Sequence, residues 1–347
     1  MHIAHTEPKQ ITSGPSHHGF TSCAYFQGIW YVSYRTAETH HPAPPGHLII
    51  ARASQMNAQT WHPTSLFLLH GKADLRDPRL LVHDDTLYCI CAGYLPRYPR
   101  ESIGSTSSEN LIQSFLTYTT DGSHWAPLEP IGRPGYWIWS LLPLQRFFVA
   151  AAYHVGAPGE TSSIHLLSGT SLLHLAPSGV IYDGASLAMD GDDYRYTHTI
   201  VAEPVLYQPT PDTLGCLLRT EAGASMADME IGSAMHPYQD WRWHRTYETI
   251  HPSAVIQTPH GLLMAGRALV KETTWKAHTA LWALDGLTVT KLLTFPSAYD
   301  TGYAGLCAGD TPDTFLCSFY SQHTTPAPYG YPLPGAQVFV STLTVLP

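Results

Sequence analysis

Charge is scarce in this chain. Asp, Glu, Lys and Arg together make 13% of 347 residues, and 18 basic against 27 acidic side chains leave a formal net charge of −9. A protein built to hold a nucleic-acid backbone shows a basic surplus, so nucleic acid is not an expected partner. A local group of arginines can still hold a small anion. Long apolar runs are also missing, and none would cross a bilayer as a helix; no membrane partner is expected. HExxH and CxxC do not occur, and the pairs His17-His18 and His40-His41 are not at metal-ligand spacing despite 21 histidines. No metal and no cofactor are expected. The six cysteines lie in apolar runs such as Leu87–Ala92 and read as buried free thiols. The start, Met1-His-Ile-Ala-His-Thr-Glu-Pro8, lacks the basic and apolar segments of a secretory signal. A cytoplasmic location is therefore expected. Helical periodicity is as rare as charge.

What the chain has is aromatic strand segments cut by turns. Hydrophobic residues make 44%, with 20 Tyr, 9 Trp, 27 Gly and 28 Pro, a composition that suits an all-β protein. One unit recurs: an apolar strand, a tight turn, then a second strand ending in a polar or aromatic residue. Examples are Ser22–Phe26 before Ile29–Arg35, Asp77–Val82 before Thr86–Gly93, and His251–Ile256 before Gly261–Arg267. The units open near 22, 77, 139, 203, 251 and 303. Their spacing of roughly 50 to 60 residues is that of four-stranded propeller blades with long loops. The sequence thus predicts a six-bladed β-propeller with four-stranded antiparallel blades, occupying 1–347 as one domain. The N-terminal stretch to about Gly19 and the tail Gln337–Leu346 are expected to close the ring. Thr119-Thr-Asp-Gly-Ser-His-Trp125 looks like an Asp-box turn between outer strands, and Ser54–Trp61 like a degenerate copy.

A propeller brings first-strand starts and second-strand ends to the central axis on one face. That geometry gathers Arg35, Asp77, Glu203, Arg219, His251, Arg267, Tyr303 and Tyr320. Three arginines at similar blade positions predict a pocket for a carboxylate, since arginine pairs with carboxylates through two parallel hydrogen bonds.

In chain order, Arg35, Asp77, Glu203, Arg219, Arg267 and Tyr303 resemble the site residues of the sialidase superfamily. The segment Asp300-Thr-Gly-Tyr-Ala-Gly305 is similar too. The resemblance implies an exo-glycosidase that retains anomeric configuration on a terminal sialic acid or related acidic sugar. By it, Arg35, Arg219 and Arg267 would clamp the substrate carboxylate and Tyr303 would be the nucleophile. Glu203 would take the phenol proton and Asp77 would be the acid/base. Asp300, His251, Arg76 and Glu38 join the candidate substrate-binding set, and Asp74 and Glu38 are alternatives to Asp77. The chain departs from the family in several respects: Arg35 is not in a Phe-Arg-Ile-Pro context, no glutamate follows Glu272 to support the first arginine, and only one Asp box is clear. Arg76-Asp77-Pro78 and Glu203-Pro204 also resemble segments of five-bladed furanosidases, which use two or three carboxylates without an arginine clamp. A non-catalytic glycan-binding or protein-binding propeller is the third reading.

Overall fold

The computed structural model describes residues 1–40, 45–69, 73–95, 111–154, 163–183, 199–222, 225–226, 228–271, 275–324 and 335–347. Six small antiparallel sheets follow one another along the chain, each in contact with the next. The first blade runs His17–Phe26, Ile29–Ala37, His47–Ala53 and His62–Phe67. The second has Asp74–His83, Thr86–Leu95, Leu111–Thr119 and Glu129–Ile131, and the third Tyr136–Pro143, Phe148–His154, Ser163–Gly169 and Ala176–Asp183. The fourth is built on Thr199–Thr210 and Thr213–Ala222, the fifth on Ile250–Thr258 and Gly261–Lys271, the sixth on Thr301–Ala308 and Thr314–Ser321. All six expected openings fall inside first strands. Among the described residues the only helical piece is the short turn Leu172–His174, and no helix is long and apolar enough to cross a membrane.

The ring closes as the termini suggested. Gln337–Leu346 is the third strand of the sixth blade, and His2–His5 pairs with it as the fourth, from His2 opposite Leu346 to His5 opposite Leu343. Lys9–Gln10 continues the same edge, opposite Val340 and Phe339. The alternate residues Leu343 and Val345 point into a core shared with Phe315, Phe319 and Phe295, with Ile3 packed against it. Deleting residues 1–10 should leave that edge unpaired and Leu343 and Val345 wetted. Removing about 25 cal/mol of stabilisation per Å² of exposed apolar surface amounts to several kcal/mol. The expected result is a lower urea midpoint and concentration-dependent aggregation through the open edge; an unchanged midpoint would mean the strand does not close the ring.

Between sheets the core is aromatic and aliphatic, with Trp30 and Trp282 among the largest fully buried side chains. All six cysteines are buried free thiols. The Thr119–Trp125 segment joins the outer strands of the second blade: Asp121 Oδ1 accepts from the Ser123 and His124 amides at 2.8 Å each. Ser54–Trp61 joins the outer strands of the first blade. The loops at 36–45 and 94–110, which the sequence places after the second strands of the first two blades and so over the axial face, lie partly outside the described residues, at positions 41–44 and 96–110.

One irregularity repeats in every blade and builds the site. The pairing of first and second strands slips between Gly19 and Ser22, Arg76 and Arg79, Ile138 and Ser140, Ala202 and Val205, Pro252 and Ala254, and Gly302 and Gly305. Such bulges bend a strand and re-aim a side chain. The residues inside these six intervals include Phe20, Asp77, Trp139, Glu203, Ser253 and Tyr303.

Candidate active site

Asp77, Glu203 and Tyr303 share a backbone conformation as well as a place in the repeat. Their φ angles are 50°, 57° and 43°, and Phe20 in the first blade has 59°. Left-handed backbone costs a non-glycine residue about 1–3 kcal/mol. The same strain at equivalent bulges in four blades is paid where side chains must meet at the axis.

The meeting is close. The Tyr303 hydroxyl donates to Glu203 Oε1 at 2.7 Å, and Arg219 Nη1 donates to the same oxygen at 2.5 Å and to the Tyr303 oxygen at 3.2 Å. The other arm of Arg219 pairs with Glu221. Arg267 lies over the Tyr303 ring, 5.1 Å from its centroid, and donates through Nη2 to the Tyr320 hydroxyl at 3.2 Å and through Nε to the Thr301 carbonyl. Burial, with Glu203 next, pushes the Tyr303 phenol well up, against the pull of Arg219 and Arg267. The phenol therefore needs a base at hand to lose its proton, and Glu203 is in place. Trp139 touches Tyr303 from the opposite blade at 5.8 Å between ring centroids, so aromatic contacts cross the axis here.

Several buried polar atoms at this face have no hydrogen-bond partner: Asp77 Oδ1, Glu203 Oε2, Arg219 Nε, both ring nitrogens of His251, and Arg76 Nε, whose nearest counter-charge is Asp74 Oδ2 at 3.9 Å. Unpaired buried groups cost about 1–3 kcal/mol each, and their concentration in one place suits a ligand rich in hydroxyl and charged groups. His251 is opposite Arg267 in the sheet register and 3% exposed. Burial, then Arg219 and Arg267, holds its ring well below the usual histidine range, so it is neutral. Asp77 is 6% exposed and its carboxyl is pushed up to about 6, by burial first and with Glu203 adding, against Arg76, Arg79 and Arg35.

That shift has a consequence for stability. The native state holds the Asp77 proton more tightly than the unfolded chain does. Its contribution is therefore favourable below about pH 4 and is lost as pH rises through about 6. Asp77→Asn should be more stable than the parent by about 3 kcal/mol at pH 8, with the difference vanishing at pH 4. Denaturant titrations at the two pH values check this, and a pH-independent difference would contradict it.

Arg35 stays beside the site, 5.7 Å from the centroid of the Phe20 ring, but its hydrogen bonds go elsewhere. It is fully buried, and its Nε and Nη2 donate to Asp74 Oδ1 and Oδ2 at 2.7 and 2.9 Å, with Nη1 on the Thr39 carbonyl. It lies opposite Gly19, as Arg219 lies opposite Ala202, but its guanidinium is turned into the seam between the first two blades. Asp74 is equally buried and is taken up by Arg35, with its Oδ2 also 3.9 Å from Arg76 Nε, and Glu38 is exposed on the loop after the second strand of the first blade. Of the three acid/base candidates, Asp77 alone stands at a bulge. Arg76, 7% exposed, lies over the Phe20 ring at 4.6 Å and donates to the His40 carbonyl. Arg76 thus joins Arg219 and Arg267 among the arginines at the axis, where Arg79 also lies over the Trp139 ring.

Asp300 anchors this side. Its Oδ2 accepts from His17 at 2.8 Å and His40 at 2.6 Å, and its Oδ1 from the Tyr320 hydroxyl at 2.7 Å. Burial alone would raise this carboxyl; the two histidine hydrogen bonds outweigh it and hold it well below the usual range. His17, His40 and Asp300 offer three ligand atoms within 4.8 Å. Arg35 and Arg76 lie near His17, and Arg267 Nη2 is 3.8 Å from Asp300. With those cations around it, the cluster is better suited to holding arginines than a dication.

Sequence reasoning missed Glu221, His17, His40 and Arg79. Glu221 stands two residues after Arg219, on the same face of the strand, which is a signal the sequence does carry. The histidine anchors meet Asp300 only through ring closure and had no local signal.

No family model matches this sequence, and no curated protein matches it. Solved structures do. A protein of unknown function from Dyadobacter fermentans superposes with a TM-score of 0.78 at 15% identity, covering 99% of both chains. A Trypanosoma rangeli sialidase in complex with the inhibitor DANA gives 0.66 at 10% identity, over 98% of this chain and 59% of that one. An α-L-arabinanase of Penicillium chrysogenum complexed with arabinobiose gives 0.66 at 13%, over 97% and 98%. At these identities the likeness is one of fold: this chain is a six-bladed β-propeller with the architecture on which a sialidase and an arabinanase are also built.

Proposed function

We propose that the protein is a retaining exo-glycosidase of the sialidase-like kind, acting on a terminal sugar that carries a carboxylate at its anomeric carbon. The observation that carries this reading is the Tyr303–Glu203 hydrogen bond of 2.7 Å with Arg219 against both groups. A neutral phenol approaches a carboxylate-bearing carbon without the repulsion an ionised Asp or Glu would meet, and sialidases use tyrosine in this way.

In the first step the Tyr303 oxygen bonds to the anomeric carbon as the glycosidic bond breaks. The phenol proton passes to Glu203, and Asp77 gives its proton to the leaving oxygen. In the second, water replaces Tyr303, losing a proton to Asp77 while Glu203 returns one to the phenol. Arg219 and Arg267, with Arg76 in the place expected for Arg35, would hold the carboxylate. The turn at Thr119–Trp125, tied by Asp121, is consistent with an Asp box.

A carboxylate-only furanosidase is the second reading, favoured by the withdrawal of Arg35 onto Asp74. Aryl glycosides of sialic acid, of a 3-deoxy-ulosonic acid and of arabinofuranose separate the two. Release of the aryl group from an ulosonic acid substrate supports the first, release from arabinofuranose alone the second, and binding without turnover a glycan-binding module.

A further inference from the structure

We propose that Arg79 is a positioning residue of this site, a cation at the axis whose charge acts on Asp77, the proposed acid/base. Arg79 follows Asp77 by two residues on the first strand of the second blade, just past the bulge. From there its side chain crosses the axis. Its guanidinium lies over the Trp139 ring, 4.6 Å from the centroid, and Nη1 reaches the Ser253 carbonyl at 3.4 Å in the opposite blade. Trp139 and Ser253 are bulge residues of the third and fifth blades, so the cation sits within the ring of bulge positions that also carries Asp77, Glu203 and Tyr303. Its Nη2 is buried without a hydrogen-bond partner. Arg79 as a whole is half-buried, and an open donor on such a guanidinium is costly unless a counter-charge lies near; Asp77, two residues back on the same strand, and Glu203 are the neighbouring anions.

The charged and titratable groups that face Asp77 are few. Arg76 and Arg79 come from its own strand, Arg35 from the first blade and Glu203 from the fourth. Among the described residues, Tyr94 and Cys91 on the adjacent strand, Tyr153 in the third blade and Tyr303 in the sixth also face it. Arg76 opposes Glu203 as well, but it belongs to the pocket wall, where a substrate carboxylate would engage it. Arg79 is held by Trp139 and Ser253, so its charge stays available to Asp77 through the reaction cycle. Without it, burial and Glu203 would keep Asp77 protonated further into the alkaline range. It could then protonate a leaving group but would be a poor base for water.

The role in catalysis rests on the proposed function, but the test does not need a substrate. The infrared band of the protonated carboxyl that Asp77→Asn abolishes is titrated in the free, full-length protein. The same band is then followed in Arg79→Met, Arg79→Gln and Arg79→Lys. The expected result is a midpoint raised by about one pH unit or more in the Met and Gln variants, equivalent to about a tenfold loss of carboxylate, and nearly restored in Lys. Should the Met variant fail to fold, Gln against Lys decides. An unmoved midpoint in Gln, or an equal rise in Lys and Gln, overturns the proposal, since shape and not charge would then be at work. A glycoside panel without turnover would remove the function and leave this titration result standing.

Discussion

Tyr303→Phe is expected to fold normally and to lose at least about a thousandfold in kcat on an aryl ulosonic acid glycoside, while KM changes little. Removing a nucleophile typically forfeits several kcal/mol of transition-state stabilisation, at 1.36 kcal/mol per tenfold. Only the hydroxyl is lost. The ring keeps its contacts with Phe20, Trp139 and Tyr320, so stability should hold. The variant frees Glu203 Oε1 from one donor and leaves Arg219 on it. Steady-state kinetics with circular dichroism checks the result. Full activity in the variant would remove Tyr303 from the chemistry and shift the weight to Asp77 and Glu203.

The second large effect is on stability and lies off the site. Asp74→Ala should cost about 3–5 kcal/mol, because it strands a fully buried guanidinium. Arg35 and Asp74 are both without solvent exposure, and two of the three guanidinium nitrogens donate to that one carboxylate. Room for relaxation is small: a Cβ on Gly46 would fall 1.6 Å from Asp74 Oδ1 and 3.1 Å from Arg35 Nε. Gly46 is also bonded to this strand through its backbone, accepting from the Leu75 amide at 3.1 Å. Asp74→Ala with Arg35→Met should recover most of the loss, since an apolar pair can replace a buried ion pair. Urea unfolding of the two single variants and the double variant measures this; additive losses would show that the pair is not the source. The same variants bear on function, since a pocket arginine would change substrate affinity when neutralised and a seam arginine would change stability first.

The fold was largely legible because a propeller writes its repeat locally. Each blade's inner hairpin is contiguous, so strand, tight turn and strand appear in order, as in Asp77–Val82 and Thr86–Gly93, and the period follows. Closure was legible too, since an unpaired tail of alternating residues such as Gln337–Leu346 needs an edge. The bulges were not legible as such. Their trace was the dipeptides Asp77-Pro78 and Glu203-Pro204, where proline removes a ladder donor, but nothing local says that Phe20 and Tyr303 share the same backbone.

The site was legible in its members more than in its pairings. Glu203, Arg219 and Tyr303 were placed together by blade arithmetic, and the structure joins them by hydrogen bonds. Arg35 shows the limit of that arithmetic. Strand position located its Cα correctly, but the guanidinium turns toward Asp74, a residue from the next blade. Side-chain direction at a seam depends on the neighbour's charge, which strand spacing does not encode. Arg79 was passed over for the opposite reason. It stands two residues after Asp77, on the face that alternation gives to Asp77, but nothing local says that its side chain reaches Trp139 and Ser253 in other blades.

Covalent labelling tests the central claim most directly. The protein is incubated with an activated fluorinated sugar acid that forms the glycosyl-enzyme but hydrolyses slowly, then digested and mapped by mass spectrometry. The account predicts one adduct, on the peptide that holds Tyr303, absent from Tyr303→Phe. An adduct on Asp77 or Glu203, or turnover of the parent glycoside with inversion at the anomeric carbon, would contradict it.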